Sequence, residues 1–369
     1  MIGGLCCCAL SLFSQTFDAP TTDQANRSWT ATTDLKSGNQ LSTHIPVRIV
    51  ESHSQNGNRT LDERTVQIQG MDGHLKPYQE IEKEMLQLDS TTVRTTIRTF
   101  GRDVNGAKSL IQLTEEEKHT LPGGDSSVLR ITSNPDVNGK LQPVQREVVE
   151  TKEIDKNIEE TNSTVMIPNI NGGLAPAFKT HELRKRSTDG VTESQKTTLL
   201  ADGAGKWELS ETRHVTTSPE GPNRKLEERV FRRDADGKLA EVSHVVSRES
   251  TREEHSVVET YSIDVPGSTR DGRLHVIERA STTKRTGITG EQITERQLEQ
   301  PNPGDPSGGL RVSVLVNDKM VPGPSGEQST VTIRARDTNE SIGIVSVDTT
   351  KSDRIPVIQI QQTRSEQPK

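Results

Sequence analysis

The chain is poor in aromatic residues, nearly free of cysteine and almost without helical pattern, and each shortage removes a class of protein. Aromatics make up 2% of residues and all hydrophobics 29%, too little for a thick globular core. Sugar sites present Trp or Tyr faces, and only Trp29, Trp207, Tyr78 and Tyr261 offer one. The three cysteines are Cys6, Cys7 and Cys8, so no disulfide framework extends into the body of the chain. Acidic and basic residues alternate closely around a net charge of -7. No basic stripe with interleaved aromatics occurs, which argues against nucleic acid. Gly-x-Ser-x-Gly elbows and glycine-rich phosphate loops opening a helix are also missing.

The one long apolar run, residues 2–13, stands at the N-terminus, and the first ionisable side chain is Asp18. It has the length of a signal h-region and is too short for a membrane helix. The expectation is a signal peptide over 1–19 and an exported product: periplasmic, secreted or on the cell surface. After cleavage the chain has no cysteine and no transmembrane span, and it is expected to be a monomer. Lipidation at Cys6 is disfavoured because Leu5, not a small residue, precedes it.

What the chain does have is a period. Gly38, Gly73, Gly106, Gly139, Gly172, Gly205, Gly237, Gly272, Gly309 and Gly343 are spaced by 32 to 37 residues. Repetition on that scale marks a repeat architecture. An Asp or Asn stands three before the glycine in the central units, at Asp103, Asp136, Asn169, Asp202 and Asp234. An apolar residue usually stands two after it, as at Leu75, Leu141, Leu174, Trp207, Leu239 and Leu274. Upstream runs such as Val93–Thr99 and Tyr261–Val265 alternate in the manner of half-buried strands. Asp-x-x-Gly then supplies a hairpin turn, with Gly taking positive φ at Gly73, Gly106, Gly139, Gly172, Gly205, Gly237 and Gly272. In three units Pro77, Pro143 and Pro176 follow the leucine by two. Proline in a strand belongs at an edge or a bulge, and a bulge is expected at each.

These readings predict an all-β chain: an extended antiparallel β-meander of about ten two-stranded repeats of roughly 33 residues, with a β-propeller as the alternative. An outer-membrane barrel has the right strand length but is set aside, because 2% aromatics with Glu and Arg on both faces cannot supply its apolar band and aromatic girdles. The divisions are a mobile polar leader over 20–40, a β-hairpin array over 41–300, modified C-terminal repeats or a cap over 301–362, and a polar tail over 363–369. Residues 355–360 read as a closing strand.

The Asp-x-x-Gly-Lys-Leu turns at Asp136–Leu141 and Asp234–Leu239 resemble the turn motif of YD-repeat (Rhs-type) β shells. The resemblance covers about six residues per unit, lacks that family's tyrosine before Asp, and implies a β-meander shell with no functional residue.

Candidate chemistry is sparse. Asn134, Asp136, Asn138 and Gln145 superficially follow a calcium loop, but the last position is Gln rather than a bidentate Glu. An Asp capping its own turn is the simpler reading. His181 and His214 are one repeat apart without a third ligand, and Trp207 fills the slot that Leu fills elsewhere, which reads as packing. No catalytic residue, metal ligand or cofactor is assigned. The functional expectation is a non-enzymatic, exported structural or interaction repeat protein bound to an unknown protein or envelope component. A glycan-binding or glycan-degrading surface protein and an envelope lipid-carrying β groove are the alternatives.

Overall fold

The computed structural model describes residues 28–37, 47–70, 72–103, 106–202, 205–234, 236–264, 272–302, 305–323, 326–336 and 341–352. Every regular element among them is a strand. The first five are β1 (Ser28–Ser37), β2 (Val47–Asn56), β3 (Arg59–Gln69), β4 (Leu75–Gln87) and β5 (Thr92–Arg102). Next come β6 (Lys108–Thr120), β7 (Ser126–Pro135), β8 (Leu141–Asp155), β9 (Ile158–Pro168) and β10 (Leu174–Arg186). Then follow β11 (Thr192–Ala201), β12 (Trp207–Glu220), β13 (Asn223–Arg233), β14 (Leu239–Arg252) and β15 (His255–Ser262). The last are β16 (His275–Thr286), β17 (Gln292–Asn302), β18 (Asp305–Gly323), β19 (Gly326–Arg336) and β20 (Ile342–Ser352).

Each strand pairs antiparallel with its sequence neighbours in one 20-stranded sheet. The sheet closes on itself. β1 pairs with β2, Thr33 opposite Ile49, and also with β20, Thr33 opposite Thr350. The hydroxyls of Thr33 and Thr350 hydrogen-bond across that junction at 2.7 Å. The all-β, up-and-down reading therefore stands, while the open meander and the propeller are both replaced by a closed barrel. The closing strand comes from the stretch read as a mobile polar leader, because β1 occupies Ser28–Ser37 within it. Residues 1–19, with the expected signal, and 355–360 lie outside the described residues.

The turn glycines Gly73, Gly106, Gly139, Gly172, Gly205, Gly237 and Gly272 have φ between 74° and 82°. Gly139 shows why. Its N–H donates to the Asp136 carbonyl at 2.9 Å, and the Asp136 N–H donates to the Lys140 carbonyl at 2.8 Å. That is a type I turn closed by a left-handed residue, a common hairpin connection. The Asp136 carboxylate accepts the N–H groups of Asn138 at 2.8 Å and Lys140 at 3.0 Å. Of the remaining glycines in the period, Gly38 lies outside the described residues, Gly309 has φ 85° inside β18, and Gly343 lies in β20.

No atom outside the immediate chain lies within 4 Å of a Cβ built on Gly139, so a substitution there meets backbone strain alone. Gly139→Val should cost about 1–3 kcal/mol and Gly139→Asn much less. Chemical unfolding of the two variants checks this.

The expected bulges occur. The ladder skips Tyr78 between β3 and β4, Val144 between β7 and β8, and Ala177 between β9 and β10. Units without proline do the same, skipping Ile111, Ser210, Val242 and Ile277. Each of these lies five residues after its turn glycine, so the bulge belongs to the repeat and proline merely tolerates it. Bulges sharpen strand twist and coiling. Seven at one level, on the hairpins from β3–β4 to β15–β16, help a long sheet curve towards its own first strand.

Burial is thin. Among the described residues the buried hydrophobics are Ala31, Val165, Val230, Val246 and Ile263. The wall is one sheet thick, and all twenty strands belong to it.

Candidate functional site: the charged wall and its lumen

Successive strand residues point to opposite faces, and in this barrel both faces are charged. Glu116 and Glu117 are neighbours in β6. Glu117 pairs with Arg94 of β5 at 2.9 Å, and Glu116 with Arg130 of β7 at 2.6 Å. Arg130 also reaches Glu147 of β8 at 2.8 Å. The same weave recurs at Glu211, which holds Arg232 at 2.8 Å and Arg213 at 3.4 Å. Arg279 lies between Glu259 at 2.8 Å and Glu299 at 3.3 Å. Each such pair contributes a few tenths of a kcal/mol at a wet surface. Repeated around the ring, they fix register where apolar burial is scarce.

The densest node is Glu227 on β13. Its carboxylate takes Lys225 at 3.0 Å, Arg229 at 2.7 Å and His244 of β14 at 3.1 Å. Lys225 foremost, then Arg229, holds the carboxyl down to about 2. A depressed acid stabilises the fold above its unfolded pKa and loses that contribution as pH falls through the folded value. Wild type should therefore lose thermal stability between about pH 4 and pH 2, and Glu227→Gln should flatten that part of the profile. Melting curves across that range make the comparison.

The candidate sites resolve as follows. Asp136 caps its own turn, and those backbone hydrogen bonds hold its carboxyl below the usual range. His181 pairs with Glu160 of β9 at 2.8 Å, whereas His214 packs edge-on against Phe231. The two histidines share a repeat position and have different partners. Lys179 lies over the Trp207 ring, 4.5 Å from its centroid. No group of three or more His, Cys, Asp or Glu that could hold a metal occurs among the described residues. A depression of 350 Å³ on β16–β19 is polar, lined by Ser281, Glu295, Asn317 and Arg334 among others. No helix among the described residues is long and apolar enough to cross a membrane.

The functional expectation needs correction. An open array with a long protein-binding surface is not what the repeats build. They are the staves of one closed ring, with the two terminal strands paired to each other. The alternatives, a glycan-binding or glycan-degrading surface protein and an envelope lipid-carrying groove, are set aside with it.

No protein-family model matches the chain, and no curated protein matches it. Among solved structures it is similar to the siderophore receptor PirA from Pseudomonas aeruginosa, with a TM-score of 0.49 and 10% identity, over 91% of this chain and 81% of that one. It is also similar to Pseudomonas aeruginosa OccK5 (OpdH), with a TM-score of 0.40 and 13% identity, over 89% of this chain and 97% of that one.

Proposed function

We propose that the chain is a hydrophilic passage of the cell envelope, a water-filled barrel through which polar solutes move unchanged. The observation that carries this is the closed ring with charge on both faces of its wall. A round ring of this many strands, spaced about 4.8 Å and tilted about 40°, measures roughly 40 Å across the backbone. Side chains do not fill such a width, and barrels of about 16–18 strands already leave an aqueous channel. Lys, Arg, Asp and Glu on both faces match water on both sides. A fully lipid-embedded wall instead needs an apolar band about 25 Å tall. The apolar stretch at residues 2–13 supports export to the envelope.

Thiol labelling tests the lumen. Thr197 and Thr198 are neighbours in β11 and face opposite sides of the wall. Each is replaced singly by Cys in a chain whose Cys6, Cys7 and Cys8 are Ser. A small maleimide should modify both variants, and a polymer-linked maleimide wider than the lumen only one. A variant resistant to the small reagent would mean a filled barrel. Equal reaction of both with the large one would mean an open sheet. Either result contradicts the proposal.

A further inference from the structure

Every junction of the ring but one joins strands that follow each other in the chain. The exception is the pairing of β20 with β1, which no hairpin turn ties and whose ladder runs only from Ala31 to Ser37. Hydrogen bonds and packing alone keep those two strands together. A misfit group there acts directly on closure.

Asp348 is such a group. It stands on β20 in register with Leu35 of β1 on one side and Val331 of β19 on the other. Its Oδ1 is buried without a hydrogen-bond partner, and no other side-chain nitrogen or oxygen among the described residues is so placed. The nearby hydroxyls are engaged elsewhere. Thr33 and Thr350 hydrogen-bond to each other at 2.7 Å, and Ser329 donates to Asp318 of β18 at 3.0 Å. Nor does a countercharge share its face. Successive residues alternate between faces, and the register puts no Lys or Arg of β19, β20 or β1 on the Asp348 face. Asp34 and Lys36 hold the alternate positions, opposite Thr349 and Val347, as do Arg334, opposite Ile344, and Lys351, opposite Gln328. The charged residues that do share the face are both acids: Asp318, opposite Val331, and Glu327, opposite Ser352. Burial holds the Asp348 carboxyl above the ordinary carboxylate range.

We propose that Asp348 makes the β20–β1 junction a pH-controlled seam, closed while the carboxyl is protonated and loosened when it ionises. A protonated carboxyl brings no charge out of water, and its O–H can donate. An ionised one must stay desolvated between β19 and β1 or gain water. Parting β1 from β20 admits that water with the least disruption, because turns tie the neighbouring hairpins. The sign is opposite to that at Glu227. An acid whose pKa is raised by folding stabilises the fold below its unfolded value and loses that contribution as pH rises through the folded one. The seam should therefore weaken as pH rises above the ordinary value of 3.8, where Glu227, held down to about 2, is already ionised. Such a seam gives the barrel a lateral way to open that answers to the acidity of its surroundings.

Hydrogen exchange read by mass spectrometry tests this on the full chain. Peptides from β1 and β20 are compared with one from β7, which carries no carboxylate or histidine side chain. The comparison is made at about pH 4 and about pH 7, after correction for intrinsic exchange rates. In the wild type, protection of β1 and β20 relative to β7 should fall several-fold at the higher pH. Asp348→Asn and Asp348→Val remove the titrating group, and in each the ratio should stay level. A wild-type ratio that does not move with pH would overturn the proposal. A change of the wild-type size in either variant would do so too, since another group would then be responsible. The seam rests on the closed ring and not on the passage reading. Lumen labelling at a single pH can fail without it, and the reverse holds as well.

Discussion

Deleting residues 28–37 should drive the chain into aggregates or larger oligomers than the intact protein forms, seen as a shift to fast-sedimenting species. The reason is parity. In a ring of neighbours that are all antiparallel, the number of strands must be even. Without β1, the strands left to meet are β2 and β20, both antiparallel to β1 and hence parallel to each other. Their hydrogen-bond pattern would have to change at a single junction and their register would have to be found anew. The alternative is two bare edges carrying Val47, Ile49, Ile342 and Ile344. Long exposed edges with apolar residues pair with other chains. A deletion product that sediments and melts like the intact chain would show that β1 does not close the barrel.

Replacing Val165 by Asp should be the most damaging single substitution in the wall, at about 3–5 kcal/mol. Val165 is 3% exposed. It stands in register with Glu147 of β8 on one side and Phe178 of β10 on the other. A carboxylate there would be desolvated beside a ring and beside an acid already engaged by Arg130. Val165→Ala removes packing without adding charge and should cost about 1–2 kcal/mol. Equilibrium unfolding of the pair separates the two contributions, and similar small losses for both would mean that the site is wet.

The period and the turn chemistry were legible because both are local. Asp136 and Gly139 act on atoms within four residues, and the same arrangement recurs in unit after unit. The bulges were half legible. Pro77, Pro143 and Pro176 flagged three of them, but Ile111, Ser210 and Val242 are skipped without proline to mark the place. Closure was not legible, and the shortage of aromatics argued against a barrel of the membrane kind. It depends on Thr33 meeting Thr350, a contact across nearly the whole chain, and β1 lies in a polar stretch whose alternation is short. The ion pairs were hidden for the same reason: Glu227 finds His244 only once register is set. The aromatic residues near the Asp-x-x-Gly turns did leave a trace. Phe100 and Phe231 each stand six residues before a turn glycine, and Trp207 stands two after one. Read singly, each looks like packing; only the ring brings them to one level.

The closed ring is the claim on which everything else rests, and a disulfide across its last junction tests it most directly. In a chain with Cys6, Cys7 and Cys8 replaced by Ser, Thr33→Cys and Thr350→Cys place two thiols where hydroxyls now hydrogen-bond. Under mild oxidant the double variant should form an intramolecular bond that joins residues 33 and 350. On a non-reducing gel it would run as a compact monomer, and peptide mapping would recover the linked fragments. Free thiols in the folded protein, or disulfides found only between molecules, would contradict the barrel.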